Sequence, residues 1–155
     1  MRAILCKEYG PAETLVIEDV TSPVVKGHGV KVRVKAAGLN FPDTLIIEGK
    51  YQLKPTMPFS PGGEMSGEVI EVGEKVTRFK PGDRVAGLTG YGAFAEEVVV
   101  PEQNILPIPE SMSDEKAAAF SMVYGTSYYA LKQRANIQPG ETLLVLGASG
   151  GVGLA

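Results

Sequence analysis

The chain has 155 residues, a formal net charge of −3 at neutral pH and 44% hydrophobic residues. This length suits one domain, and the mildly acidic balance gives no reason to expect nucleic acid or an anionic membrane as a partner. Cys6 is the only cysteine, which excludes an intrachain disulfide and favours a reducing compartment. The absence of a long apolar run and the early charge at the N-terminus predict a cytoplasmic protein.

The first part of the chain is rich in short strands and turns. Residues 30–35 alternate valine with cationic side chains, which is typical of a half-buried strand. Further strands are predicted at residues 68–72, 84–86 and 96–100, with glycines and prolines between them. Short strands at this spacing predict a small barrel or sandwich.

One helical turn is predicted between these strands. Asn40 stands two residues before Pro42, and proline is favoured in the first turn of a helix. Residues 43–48 can continue the turn, and Gly49 provides a C-terminal stop.

Two more helices are predicted after the strands. Ser113 is a suitable N-cap, because acidic residues follow it in the first turn of the helix. A later helix is expected at about residues 126–134, with Tyr128 and Tyr129 packed against the protein.

The last residues contain the motif with the most chemical information. Residues 143–146 are all apolar, as in a parallel strand covered on both faces, and a glycine-rich run follows from Gly147 to Gly153. A strand, a glycine-rich turn and a helix start form the phosphate site of many α/β folds. The residue that would distinguish NAD from NADP is expected about 20 positions further on, outside these 155 residues.

Four motifs occur in order along the chain, at residues 38–43, 61–67, 79–85 and 147–153. Together they resemble the medium-chain dehydrogenase/reductase superfamily, and within it the zeta-crystallin-type NADPH:quinone oxidoreductase branch. The resemblance implies a mainly β GroES-like barrel domain with a few helices, followed by the truncated first β-α unit of a Rossmann domain. The implied bounds are 1–125 for the N-terminal part of the catalytic domain and 126–155 for the linking helix and the start of the NADPH-binding domain.

Zinc-dependent members of this superfamily have a cysteine and a histidine ligand where this sequence has Ala37 and Gly63. Neither substitute can bind a metal, and Cys6 and His28 do not have the spacing of a zinc site. Glu64 remains, but a single carboxylate is not a site. We interpret it as a charge held by backbone N–H groups or a neighbouring cation, and we expect no metal.

Without zinc, hydride transfer to a quinone or enone needs O–H or N–H donors for the developing oxyanion. The resemblance places Asn40 and Tyr51 beside the nicotinamide and the substrate, and a tyrosine hydroxyl can also pass a proton. The alternatives are a helix cap for Asn40 and an amphipathic surface aromatic for Tyr51. Asp43 is a third catalytic candidate that would orient these donors, although an exposed first-turn carboxylate is the favoured interpretation. Leu45 replaces a further tyrosine of many quinone reductases, which excludes a mechanism based on that hydroxyl.

The resemblance also implies a set of cofactor-binding residues. Asn40 and Thr126 match residues that contact NADPH, and a helix N-cap is the alternative role for Thr126. The loop under the pyrophosphate would comprise Gly147, Ser149, Gly150, Gly151, Val152 and Gly153. A plain strand-to-helix turn is the alternative for these glycines.

The expected function is that of the N-terminal part of an NADPH-dependent, zinc-free oxidoreductase that reduces quinones or α,β-unsaturated carbonyls. An enoyl-thioester reductase and a non-catalytic GroES-like module are the alternatives. The expected partners are a small-molecule quinone or enone and, in the full-length parent, a second copy of the chain, with no nucleic acid and no membrane. We expect these 155 residues alone to be inactive and to bind NADPH negligibly, because the adenosine half of the site is absent.

Overall fold

The computed structural model describes all residues from Met1 to Ala155. The seven strands are β1 (Arg2–Leu5), β2 (Val16–Asp19), β3 (Gly29–Gly38), β4 (Glu64–Val72), β5 (Arg84–Leu88), β6 (Glu97–Pro101) and β7 (Ile105–Pro107). Five of them form an antiparallel sheet in the spatial order β6-β3-β4-β5-β7, and β1 pairs with β2 in a separate ribbon.

The helices are short and lie mainly in the second half of the chain. They are α1 (Phe41–Ile47), α2 (Asp114–Ala118), α3 (Ser121–Tyr128) and α4 (Gly151–Leu154). Single turns of 3₁₀-helix occupy Ala12–Thr14 and Glu102–Asn104, and a π-helical segment, Tyr129–Arg134, follows α3 directly. No helix has both the length and the apolar character needed to cross a bilayer.

The five-stranded sheet is open, so the expectation of a closed barrel is wrong. A barrel requires its two edge strands to pair with each other, and the edge strands β6 and β7 do not. Strand β3 pairs with β4 from Val30 opposite Val72 to Gly38 opposite Glu64, with two register shifts along the way. The mainly β character and the predicted central strands are confirmed.

One face of this sheet holds the main hydrophobic core. Val30 and Val32 are fully buried there, as the alternation of residues 30–35 predicts. Full burial of such side chains contributes about 1.5–3 kcal/mol each. The buried members of this core are Val30, Val32, Met65, Val69, Phe79, Val85, Ala93, Val98, Val100 and Ile105.

A second, smaller core packs α1 against the N-terminal part of the chain. It consists of Cys6, Ile46, Ile47 and Phe59. Backbone pairing between Cys6 and Phe59 also joins the first strand region to the loop before β4. This core fixes the position of α1, whose N-terminus contributes to the candidate site.

The helix predicted after Ser113 is confirmed, whereas the next helix differs from its prediction. The Ser113 hydroxyl oxygen accepts a hydrogen bond from the Lys116 N–H at 3.4 Å, as an N-cap does. Helix α3 begins at Ser121, several residues before the predicted start at Thr126. Thr126 therefore lies inside the helix, and the N-cap interpretation of this residue is wrong.

Tyr128, the last residue of α3, and Tyr129, which follows it, are 63% and 51% exposed, so the prediction that they pack is wrong as well. The helical period alone indicates a buried face but not which neighbour covers it.

The buried strand predicted at residues 143–146 is not formed within these 155 residues. These residues pair with none of the seven strands. Their apolar side chains are exposed, at 50% for Leu143, 79% for Leu144, 44% for Val145 and 84% for Leu146. Because a strand exists only through hydrogen bonds to a neighbour, the segment has no sheet structure, and its last residue, Leu146, belongs to the following turn. The glycine turn and the start of a helix, α4, follow it as predicted.

Candidate functional site

Three polar side chains meet where β3 ends and where β4 and α1 begin. Gly38 at the end of β3 lies directly opposite Glu64 at the start of β4. Asn40 follows two residues after Gly38 and is the N-cap of α1, whose first turn contains Asp43. The antiparallel register therefore brings Asn40, Asp43 and Glu64 to one end of the sheet.

Glu64 is the most buried member of this group, with 1% of its surface exposed. Its Oε1 accepts a hydrogen bond from the Met122 N–H at 2.7 Å, and its Oε2 accepts one from Asn40 Nδ2 at 3.1 Å. A buried carboxylate is costly unless such donors compensate it. The interpretation of Glu64 as a charge held by backbone N–H groups is therefore confirmed for Met122.

Gly38 leaves the room that this carboxylate needs. A Cβ atom at this position would lie 2.7 Å from Glu64 Oε2 and 2.7 Å from the carbonyl oxygen of Ala118. Both distances are shorter than ordinary van der Waals contact. Any larger residue would displace the glutamate or α2.

Asn40 and Asp43 form a capping box across the first turn of α1. Asp43 Oδ2 accepts a hydrogen bond from the backbone N–H of Asn40 at 2.8 Å, and the Asn40 side chain faces the backbone N–H of Asp43. The N-cap position of Asn40 is thus confirmed, with its backbone carbonyl oxygen accepting the Asp43 N–H at 3.0 Å. It does not exclude a second role for the amide.

Asp43 is 3% exposed, so the expectation of an exposed first-turn carboxylate is wrong. The side chain turns inward because the N–H of Asn40 offers it a partner there. Burial raises the pKa of the Asp43 carboxyl above its ordinary value, and the backbone N–H groups of Asn40, Gly63 and Gly62 act in the opposite direction.

Tyr51 lies outside the hydrogen-bonded group of Asn40, Asp43 and Glu64. Its half-buried ring packs against the smaller core that contains Ile46 and Ile47. The interpretation of Tyr51 as an amphipathic surface aromatic agrees with this packing, since part of the ring contacts the core and part stays exposed.

Large exposed apolar side chains stand next to this group in the sequence. Leu39 and Phe41, on either side of Asn40, are 78% and 74% exposed. Phe120 and Tyr124, which flank Met122, stack with ring centroids 4.6 Å apart and are about half exposed. Sequence reasoning missed these four residues, because a hydrophobic residue beside a polar one has no pattern that reveals its exposure.

The glycine-rich turn is the second candidate site. Gly147 has φ +71°, a conformation that favours glycine, and its carbonyl oxygen accepts a hydrogen bond from the Gly150 N–H at 3.0 Å. A Cβ atom at Gly153 would lie 2.4 Å from the same carbonyl oxygen. Several backbone N–H groups of this turn make no hydrogen bond within the chain and can bind an anion. They include those of Ser149, Gly151, Val152 and Gly153.

Helix α3 connects the two candidate sites. Near its start, Met122 donates to Glu64, and near its end, Ser127 Oγ donates to the carbonyl oxygen of Val152 at 2.9 Å. Thr126 lies beside Ser127 with an exposed side chain.

The donor atoms around Glu64 do not suit zinc. Ala37 and Gly63 have no side-chain donor, and both oxygens of Glu64 already accept hydrogen bonds from N–H groups. No group of three or more histidine, cysteine, aspartate or glutamate residues in the chain has the geometry to hold a metal ion.

Residues 26–110 match the model of the alcohol dehydrogenase GroES-like domain. A quinone oxidoreductase-like protein 2 homolog of Nematostella vectensis is 50% identical, over 99% of this chain and 42% of its own length. The quinone oxidoreductase of Mus musculus is 42% identical, over all of this chain and 47% of its own length. The chain thus spans about half the length of the curated relatives it matches.

Solved structures agree with these relatives. The Escherichia coli quinone oxidoreductase complexed with NADPH has a TM-score of 0.93 and 34% identity, over 99% of this chain and 47% of that one. The CurK enoyl reductase has a TM-score of 0.90 and 28% identity, over 99% of this chain and 48% of that one. The chain therefore belongs to the alcohol dehydrogenase GroES-like domain family of the medium-chain dehydrogenase/reductase superfamily, and its relatives and structural neighbours are consistent with the zinc-independent quinone oxidoreductase branch.

Proposed function

We propose that the complete protein is an NADPH-dependent, zinc-free oxidoreductase that reduces quinones or α,β-unsaturated carbonyls. The central observation is that one helix, α3, connects the hydrogen-bonded group of Asn40, Asp43 and Glu64 to a turn with free N–H groups. The names of the relatives and the NADPH complex of the Escherichia coli neighbour support this proposal. Cytoplasmic location and a homodimeric complete protein are further parts of it.

The residues of the glycine-rich turn fit a pyrophosphate. Gly147 and Gly150 shape the turn, and the N–H groups of Ser149, Gly151, Val152 and Gly153 would donate to phosphate oxygens. Thr126, exposed on the adjacent helix, would contact the same cofactor. When bound, NADPH supplies the hydride.

This proposal divides the chain into residues 1–125, with the catalytic side chains, and residues 126–155, which begin the cofactor domain. In the complete protein, residues 143–146 would form a buried strand of that domain. The exposed apolar side chains of Leu144 and Leu146 support this assignment, because burial in a sheet would remove them from water.

On the acceptor side, Asn40 would donate a side-chain N–H to the oxygen that gains negative charge. The Tyr51 hydroxyl would deliver the proton that completes the reduction of the acceptor. Asp43 holds the backbone of Asn40 through the capping box and so orients its side chain. Leu45 leaves this side of the pocket without a further hydroxyl donor.

An enoyl-thioester reductase is the second candidate function. The structural likeness to the CurK enoyl reductase favours it. A thioester carbonyl also develops oxyanion character during reduction, so Asn40 and Tyr51 could serve either acceptor.

Parallel steady-state assays of the complete protein separate these candidates. NADPH and NADH would each be tested with benzoquinone and with crotonyl thioester, and oxidation of the cofactor would be followed by its absorbance. We expect the highest kcat/KM with NADPH and benzoquinone. A higher kcat/KM for the thioester would establish the second candidate instead, and no turnover with either acceptor would favour a non-catalytic module.

A further inference from the structure

We propose that Glu64 is a positioning residue that fixes the orientation of the Asn40 side-chain amide and so determines which of its atoms faces an acceptor or cofactor. The proposal rests on the proposed function, because it concerns the residue assigned there to the oxyanion. It assigns a role to a buried carboxylate that neither metal binding nor direct contact with substrate explains.

The orientation follows from the chemistry of the two ends of the amide. A carboxylate offers only acceptor oxygens, so the NH₂ end of Asn40 must face Glu64 Oε2, which lies 3.1 Å from Nδ2. The amide oxygen then faces the backbone N–H of Asp43, which is a donor at the start of α1. The Asp43 N–H itself donates to the backbone carbonyl oxygen of Asn40 at 3.0 Å, so Glu64 is the group that specifies the orientation. The flipped amide would oppose acceptor to acceptor at Glu64.

Glu64 is itself held firmly enough to serve as a fixed reference. Its second oxygen accepts the Met122 N–H at 2.7 Å, and the carboxylate is packed over Gly38, where no Cβ fits. With 1% of its surface exposed, it has no water to compete for these hydrogen bonds.

One atom of Asn40 remains available after these contacts are made. The NH₂ group has two hydrogens, and one of them is used by Glu64. The other donates to no group of the chain. Because Leu39 and Phe41 beside it are exposed apolar residues, an acceptor bound here would exclude water around this N–H and strengthen its hydrogen bond.

The substitution Glu64→Gln tests this role with almost no change of shape. The introduced amide must use its oxygen to accept the Met122 N–H, so its NH₂ group would face the NH₂ group of Asn40. Asn40 must then flip or shift, and its free N–H is lost from the acceptor side. We expect kcat with benzoquinone to fall about tenfold, the size of one hydrogen bond to a charged group. The KM for NADPH should change less than about twofold, since Glu64 does not touch the glycine-rich turn.

A double-mutant cycle in the complete protein shows whether Glu64 acts through Asn40. If it does, Glu64→Gln should have almost no further effect on kcat in an Asn40→Ala background. The matched control is Glu102→Gln, since Glu102 is also buried and accepts the N–H groups of Thr77 and Arg78 at 3.1 and 3.2 Å. It lies outside both candidate sites, and we expect its kcat to equal that of the wild type. Independent, additive losses for Glu64→Gln and Asn40→Ala would overturn the proposal, as would an equal loss for the control.

A second readout does not depend on activity. In the NMR spectrum of the complete wild-type protein, one side-chain amide proton of Asn40 should exchange slowly because Glu64 binds it, and Glu64→Gln should abolish this protection. If the wild type oxidises no NADPH, the proposed function fails while this measurement still decides the orientation. If Glu64→Gln does not fold, the wild-type spectrum decides alone, and two equally fast Asn40 protons would contradict the proposal.

Discussion

At the scale of single residues, three buried carboxylates organise the polar contacts of this chain. Asp43, Glu64 and Glu102 are 3%, 1% and 8% exposed, and each accepts backbone N–H groups. Their surroundings differ in charge. His28 Nδ1 lies 2.9 Å from Glu102 and, through this hydrogen bond, lowers the pKa of Glu102. Asp43 has no such partner, and burial raises its pKa.

The raised pKa of Asp43 predicts a pH dependence of stability. A carboxyl that ionises at higher pH in the folded state holds an extra proton there, so folding becomes less favourable as pH rises from the ordinary value of about 4 through the raised one. Asp43→Asn removes this contribution. The free energy of unfolding of the variant, measured by urea denaturation, should therefore improve relative to wild type as pH rises through this interval. A difference that is constant with pH would contradict the raised pKa.

Tyr51 allows a prediction about turnover. Tyr51→Phe keeps the ring, and therefore its packing on the small core of Ile46 and Ile47, but removes the hydroxyl. If this hydroxyl donates the proton, kcat of the complete protein should fall by about 10²-fold or more, while the Kd for NADPH stays within about twofold. Thermal unfolding of the variant, compared with that of the wild type, is the control that shows whether the packing of the ring is unchanged. Steady-state kinetics equal to those of the wild type would remove Tyr51 from the mechanism.

At the scale of elements, the sequence predicted those strands and helix ends that are determined by residues close together in the chain. The strict alternation at residues 30–35 identified β3, and Ser113 and Asn40 were recognised as helix caps. These signals depend on neighbours a few residues away. The burial of Asp43 could not be predicted in this way, because it involves the backbone N–H groups of Gly62 and Gly63, which are distant in the sequence.

Elements without a strong local signal were missed. Strands β1 and β2 pair across a connection that contains only a 3₁₀ turn, and β7 is three residues long. The start of α3 at Ser121 was also missed, since its first turn has neither a capping side chain nor an acidic residue. The hydrogen bond from Met122 to Glu64, which links α3 to the candidate site, therefore had no signal in the sequence.

The glycine-rich turn gives a prediction that belongs to this scale. A Cβ atom at Gly153 would meet the Gly147 carbonyl oxygen at 2.4 Å, whereas one at Gly150 would lie 3.5 Å from it, an ordinary contact. Gly153→Ala should therefore move α4 away from the turn and shift the backbone amide resonances of residues 147–149 in the ligand-free protein. Gly150→Ala, as the matched control, should change only its immediate neighbours. Equal perturbation by both variants would contradict this packing.

At the scale of the whole molecule, the four ordered motifs predicted the family correctly, and the family model matches residues 26–110. The closed barrel and the strand at residues 143–146 were not found, for one shared reason. Both predictions depend on which strands pair with each other. Such pairs join residues that are far apart in the sequence, so the residues of one strand do not determine its partner. The apolar run of residues 143–146 remains suited to a sheet that these 155 residues do not form.

Metal-independent reduction of a quinone by the complete protein is the central claim. Its most direct test is NADPH oxidation with benzoquinone, measured before and after exhaustive dialysis against a chelator. We predict the same turnover in both samples, because in the proposed mechanism Asn40 and Tyr51 take the place of a metal as donors to the acceptor oxygen. Turnover that disappears on dialysis and returns with zinc would contradict the account, and so would the absence of NADPH oxidation in both samples.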